Sequence, residues 1–292
     1  MKDWEKTLKG KISYNLKAKE WSWLNVGGAP LFTFIPEHIE DLIHFFKVKP
    51  EHIKFRTLGA SSNLLINDKE FDGIFIRLGK NFRKIEIKNE LIIAEAGLLG
   101  SFITQIAAKA ELGGISFMQT IPGQLGGMIK MNAGAHNQEM KDIIQWVKFM
   151  DKSGKINIIT NKECAFDYRK SIFQEDWIIL QAAIKTKKQK TDYILKEIQE
   201  LMFKRKQTQP TQGKMAGCFF KNHKTMPAWQ AIRESNIVNH PNIKISEIHA
   251  NFLINNNQAT AQEISEFIKK IQHEVFLKHK IHLELEIEKI GF

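Results

Sequence analysis

Cysteine is scarce in this 292-residue chain: Cys164 and Cys218 stand far apart and form neither a CxxC pair nor a disulfide framework. No apolar run approaches the ~20 residues of a membrane-spanning helix. The opening Met1-Lys2-Asp3-Trp4-Glu5 is charged and has no apolar signal core behind it. These absences predict a cytoplasmic protein with no membrane attachment. Both GxGxxG and GxxxxGK[ST] are missing, which removes support for a Rossmann or P-loop nucleotide site. A zinc helix fails as well, because His273-Glu274 and His279 are six residues apart where HExxH needs four, so no metal is expected. Acidic residues are in deficit, 32 against 43 Lys and Arg, for a net charge of +11. Yet the lysines are scattered. The one dense cluster is Lys185-Thr186-Lys187-Lys188-Gln189-Lys190, with a shorter Lys204-Arg205-Lys206 beyond it. Without a recognisable nucleic-acid module, this charge reads as a lysine-rich solvated surface with some local use for phosphorylated ligands.

What is present is ordinary for a globular protein: 43% hydrophobic and 26% charged residues, at a length that suggests two or three domains. Strand-like runs and amphipathic helices alternate. Strands are expected at Phe32 to Ile35, Phe55 to Leu58, Ile74 to Leu78, Ile85 to Ile87 and Leu91 to Ala94, and helices at Ile39 to Phe46 and Phe102 to Ala110. A hairpin of Trp146 to Met150 and Ile156 to Ile159 precedes a buried-type strand at Trp177 to Ile184. Beyond the lysine cluster come helices at Asp192 to Arg205, Ala228 to Ser235 and Ala261 to Phe276. The β-like Gly217 to Phe220, a strand at Asn251 to Ile254 and a closing strand at His282 to Glu288 complete the reading. The class is α+β with mixed sheets.

Five segments could carry chemistry. The small residues of Leu58-Gly59-Ala60-Ser61-Ser62-Asn63-Leu64-Leu65 let backbone N–H groups approach a phosphate, and Ser62 and Asn63 add donors. A second glycine-bearing stretch, Ile121-Pro122-Gly123-Gln124-Leu125-Gly126-Gly127 followed by Asn132-Ala133-Gly134-Ala135, can wrap a planar ring or a pyrophosphate. Phe166 to Phe173 sets Arg169 between aromatics, either stacked on Tyr168 or aimed at a carboxylate or enolate oxygen. Gly217-Cys218-Phe219-Phe220-Lys221-Asn222 holds a thiol that is either structural or, tuned by Lys221, suited to proton transfer. Finally, Glu284, Glu286 and Glu288 alternate with apolar residues on the closing segment, where solvation of one face is the plain alternative.

These blocks resemble, in order, the UDP-N-acetylenolpyruvoylglucosamine reductase family. The matching segments are Asn25-Val26-Gly27-Gly28, Leu58 to Leu65, Ile121 to Ala135, Tyr168 to Phe173, Gly217 to Asn222, Ser246 to Asn255 and Glu286 to Gly291. The compact spacing resembles the shorter, type II form. The resemblance implies an FAD-binding domain of the kind shared with vanillyl-alcohol oxidase and p-cresol methylhydroxylase, in two α+β subdomains, followed by an α+β substrate domain. It places an N-terminal segment at 1–19, the flavin domain at 20–186 (subdomains about 20–80 and 81–186) and the substrate domain at 187–292.

The implied activity is reduction of UDP-N-acetylglucosamine enolpyruvate to UDP-N-acetylmuramate for peptidoglycan, with non-covalent FAD and NADPH as co-substrate, by a monomer that binds no nucleic acid. Another FAD-dependent oxidoreductase of the same fold is the alternative. Arg169 would pair with the substrate carboxylate, Cys218 would donate a proton, and Glu286 would work beside them. FAD would lie along Gly59, Ala60, Ser61, Ser62, Asn63 and Leu64, then Ile121, Pro122, Gly123, Gly126 and Gly127, then Asn132, Ala133 and Gly134. Tyr168, Lys206, Lys221, Asn222 and His249 would take the UDP-sugar. Three departures stand out: cysteine replaces serine at 218, serine replaces glycine at 61, and His223 replaces a proline. If position 61 needs a positive φ, serine is strained there.

Overall fold

The computed structural model describes residues 2–256 and 258–292, which gather into two compact units. The first comprises residues 1–13, 32–60 and 72–205. At its centre is an antiparallel sheet with the strand order Ile156–Thr160, Ile144–Met150, Ile178–Lys185, Leu91–Glu95, Ile85–Lys88. The middle strand is covered on both faces: Ile178, Ile179, Leu180, Ala182, Ala183 and Ile184 are all buried, which accounts for an almost continuous apolar run where an edge strand would alternate. The helix Gly100–Lys109 turns Ile103, Thr104, Ala107 and Ala108 inward at helical spacing.

A second, mixed sheet orders Lys11–Ser13, Pro30–Ile35, Phe71–Ile76 and Lys54–Thr57, the last pair being parallel. Phe45 of the helix Ile39–Val48 stacks on Phe34 with centroids 5.5 Å apart and meets Phe55 edge-on. Such ring pairs add about 1 kcal/mol each beyond their buried area.

The second unit is discontinuous in sequence, formed by residues 14–31, 61–71 and 206–292. Its core is built on the helix Ala261–His279, which buries Ile264, Phe267, Ile268, Ile271 and Val275. Thr260 and Glu263 close a capping box at its start: Glu263 N donates to Thr260 Oγ1 at 3.1 Å, and Thr260 N donates to Glu263 Oε2 at 2.7 Å. Asp68 adds a carboxylate to the same helix end, accepting from Ala261 N at 2.5 Å with one oxygen and from Gly27 N at 3.1 Å with the other. Gly27 sits at φ +119°, where a side chain would be strained. Loss of both bonds and of a negative charge at a helix start makes Asp68→Ala cost about 2 kcal/mol. The check is a urea melt showing a lower midpoint at unchanged slope.

Two expected strands are not strands. The segment Gly217 to Phe220 lacks a ladder, and the closing strand forms only at Glu288–Ile290, pairing in parallel with Leu64–Ile66. Alternation persists upstream, with Ile281 and Leu283 buried and His282 and Glu284 exposed. The neighbour of that stretch, however, is the irregular 217–221 segment, and a single bridge, Phe220 to Leu285, is all that results. Alternating burial marks an extended chain; a ladder also needs a regular partner.

Candidate active site

In the first unit a cleft is lined by Gly59, Gly126 and Gly127 together with Gln124, Phe173 and Trp177. The glycines are there for closeness. A Cβ on Gly59 would stand 3.2 Å from Gln124 Oε1, and one on Gly126 would stand 3.2 Å from the Ala96 methyl. Gly127 faces open space, so its missing side chain leaves room in the cleft itself. The segment is pinned from behind: Gly100 N donates to Gly123 O, Leu125 N to Leu98 O and Gly126 N to Ala96 O. Ile121, Pro122 and Gly123 form the approach to the short helix Leu125–Lys130. A cradle of bare backbone beside aromatic rings fits a flat ring system with a phosphate tail.

The first glycine-bearing loop continues into the second unit as Ser61, Ser62 and Asn63, with Leu64 entering a strand. Ser61 takes φ +59° and is buried, so the position does adopt the left-handed conformation that favours glycine, at a strain of about 1 kcal/mol.

Asn132, Ala133 and Gly134 are held from within the protein. Asn132 is fully buried, and its amide is occupied by the protein: Nδ2 donates to Asp167 O at 2.9 Å and to Glu139 Oε2 at 3.1 Å, while Oδ1 accepts from Lys141 N at 2.9 Å. Gly134 opens a two-stranded ribbon, Gly134–Ala135 with Gln138–Glu139, and a Cβ there would fall 2.6 Å from Gln138 O.

This ribbon shoulders Arg169. The guanidinium donates to Gly134 O at 3.2 Å, stands 3.7 Å from Glu139 Oε1 and lies 5.0 Å from the centroid of the Tyr168 ring. Its backbone is at φ +53°, third in a tight turn closed by Lys170 N donating to Asp167 O. A non-glycine residue held there is a local cost that the surrounding contacts sustain. Glu139 is the residue that the sequence reading missed. It is mostly buried and shared between Arg169, Asn132 and Lys141, whose ammonium is 2.6 Å away. No local signal distinguishes it, because it stands four residues past the glycine stretch and looks like surface charge.

The second unit joins two further segments. Gly217 N donates to Ser62 O at 2.8 Å; Glu286 N donates to Phe219 O at 2.9 Å; Asn63 Nδ2 donates to Glu286 O at 2.8 Å. Cys218, half-buried, thus sits one residue from the bond that carries Glu286, also half-buried. The other cysteine differs sharply: Cys164 is fully buried, and desolvation pushes its thiol up to about 12. Lys221 Nζ lies 3.4 Å from Glu284 Oε2, and Asn222 Oδ1 accepts from Ala228 N at the start of the helix Ala228–Glu234. Lys206 is exposed on the last turn of the helix Thr191–Thr208. His249 packs edge-on against Phe252 and near Trp229, and burial, with the charge of Arg233, lowers its pKa. Among the described residues no group of three or more His, Cys, Asp or Glu could hold a metal, and no helix is long and apolar enough to cross a membrane.

The class follows from the first comparison: residues 30–160 match the family model described as FAD binding domain, which makes this an α+β flavin-binding fold. Residues 209–290 match the model for UDP-N-acetylenolpyruvoylglucosamine reductase, C-terminal domain. Among curated relatives, the UDP-N-acetylenolpyruvoylglucosamine reductase of Pelagibacter ubique is 36% identical, over 96% of this chain and 95% of that protein. The one from Orientia tsutsugamushi (strain Ikeda) is 36% identical over 97% and 96%. The crystal structure of the enzyme from Thermus caldophilus superposes with a TM-score of 0.85 at 30% identity, covering 97% of this chain and all of that one. The chain belongs to the UDP-N-acetylenolpyruvoylglucosamine reductase family.

Proposed function

We propose that the protein reduces the enolpyruvyl ether of UDP-N-acetylglucosamine to UDP-N-acetylmuramate, with NADPH as electron donor, and that Arg169, Cys218 and Glu286 are its catalytic residues. The observation that carries the reading is the junction at Ser62–Asn63, where one short segment holds both the Cys218 strand of chain and Glu286. When bound, FAD supplies the hydride, which adds to C3 of the substrate's double bond. Negative charge then builds up on C2 and the neighbouring carboxylate. Arg169 meets that carboxylate with a planar, permanently charged fork. Cys218 delivers the proton to C2, leaving a thiolate that water or buffer reprotonates, and Glu286 in its protonated form donates a hydrogen bond to the same carboxylate. Lys206 and Lys221 balance the pyrophosphate charge; Tyr168, Asn222 and His249 complete the recognition of the UDP-sugar.

Because the glycines of the cleft fit the cofactor by what they lack, Gly127→Val is expected to yield protein with most of its yellow colour gone. Valine is no worse a helix former than glycine, and a Cβ at 127 meets no atom within 4 Å, so circular dichroism and melting should change little. Retention of full flavin absorbance at 450 nm would move FAD away from Gly127. The reaction itself is tested by the visible spectrum. Bleaching by NADPH under nitrogen, followed by recovery on adding the enolpyruvyl sugar nucleotide, is the expected sequence; recovery with oxygen alone points to an oxidase.

A further inference from the structure

The segment from Ala216 to Phe220 carries the thiol yet has no ladder to hold it. A backbone without a regular partner wanders unless individual bonds fix it. Three of those bonds come from one residue. Phe219 N donates to Asn251 O at 3.0 Å, Phe220 N donates to Asn251 Oδ1 at 2.9 Å, and Asn251 Nδ2 donates back to Phe220 O at 2.7 Å. Asn251 is 2% exposed, and Phe219 and Phe220 are buried beside it. The amide therefore satisfies donor and acceptor of the same residue, as a base edge pairs with a base.

No other side chain of that length does this. Aspartate accepts but cannot donate, serine does not reach both groups, and glutamine is one methylene too long for the same site. The bonds lie immediately after Cys218, and Gly217 N is fixed to Ser62 O immediately before it. Phe219 O also receives Glu286 N. A shift of Phe219 would move the thiol beside it, whereas Glu286 keeps a second hold, its carbonyl oxygen accepting from Asn63 Nδ2 at 2.8 Å.

We infer that Asn251 is a positioning residue for the Cys218 proton donor, setting the thiol against the reacting carbon through the paired bonds to Phe219 and Phe220. This rests on the reading of Cys218 as the proton donor, and the experiment separates the two.

Asn251→Asp and the gentler Asn251→Ser are prepared in the full-length holoenzyme. Flavin reduction by NADPH and reoxidation by the enolpyruvyl sugar nucleotide are followed separately by stopped flow. Reduction should stay within about twofold of the parent, while reoxidation slows about tenfold or more, with a larger solvent deuterium isotope effect. Iodoacetamide gives a second readout that needs no turnover. Since Cys164 is buried, alkylation reports Cys218, and its rate should rise about fivefold or more as the loop loosens. In a Cys218→Ala background, Asn251→Ser should change reoxidation by no more than about twofold.

An equal slowing with and without the thiol, or an equal loss in both half-reactions, overturns the positioning role. So does normal reoxidation in Asn251→Ser. If Asn251→Asp fails to fold, Asn251→Ser carries all three readouts. Should Cys218→Ala reoxidise as fast as Cys218→Ser, the proton-donor reading fails independently of Asn251.

Discussion

Cys218→Ala is expected to lower turnover about a hundredfold, the usual worth of a positioned general acid, while leaving flavin reduction by NADPH near its parent rate. Cys218→Ser should retain turnover within about tenfold, because the hydroxyl returns a proton donor of smaller size to the same backbone position. A thiol ionises near pH 8.5 in isolation and gives up its proton far more readily than an alcohol. The proposed step delivers that proton to a carbon, where the acid's own pKa matters more than a strong hydrogen bond to the acceptor. The measurement is a single-turnover trace of flavin absorbance for each half-reaction. Equal losses in both halves for the alanine variant would return Cys218 to a packing role, the same role that burial assigns to Cys164.

Arg169→Lys should lose about a hundredfold or more in kcat/KM for the enolpyruvyl sugar nucleotide, with an unchanged KM for NADPH. A carboxylate that gains charge in the transition state is met by two parallel N–H groups of a guanidinium, and an ammonium supplies a point charge without that geometry. A left-handed residue in a tight turn, bonded to Gly134 O and set beside Glu139, is costly to maintain for a surface arginine. Near-normal kcat/KM in the lysine variant would reassign Arg169 to holding the 134–139 ribbon.

Much of the fold was legible because periodicity reports burial. The hairpin Ile144–Met150 with Ile156–Thr160 lies where the alternation around Asp151 to Gly154 puts it, and the doubly covered strand Ile178–Lys185 announces itself as an unbroken apolar run. The helix Ala261–His279 follows its 3.6-residue pattern. Failure came where a pattern depends on its partner. His282 to Leu285 alternates as a strand would, yet it lies against an irregular loop. Pairing of Leu64–Ile66 with Glu288–Ile290 leaves no trace in either segment read alone.

The site divides the same way. Gly59, Gly126 and Gly127, read from the two glycine-bearing stretches as positions of close backbone approach, line one cleft, with Gly127 facing open space. Ser61 was flagged by its departure from glycine, and its positive φ accounts for why glycine is the expected residue. Glu139 and Asn251 were not flagged as site residues, because each acts by touching backbone or a charged partner that is distant in sequence.

The parallel pairing just mentioned also sets an order of events during synthesis. Leu64 and Glu288 are 288 − 64 = 224 residues apart, so the earlier strand is made long before its partner. At about 5–20 residues per second, segment 61–71 waits on the order of ten seconds or more as an unpaired edge. A ladder closed over so long a loop is slow to find and exposed to wrong neighbours meanwhile. Nascent chains of this protein therefore have a built-in need for shielding until 288–290 have left the ribosome, and loss of Glu288–Ile290 would strand the edge at Leu64–Ile66 without the partner it has in the fold.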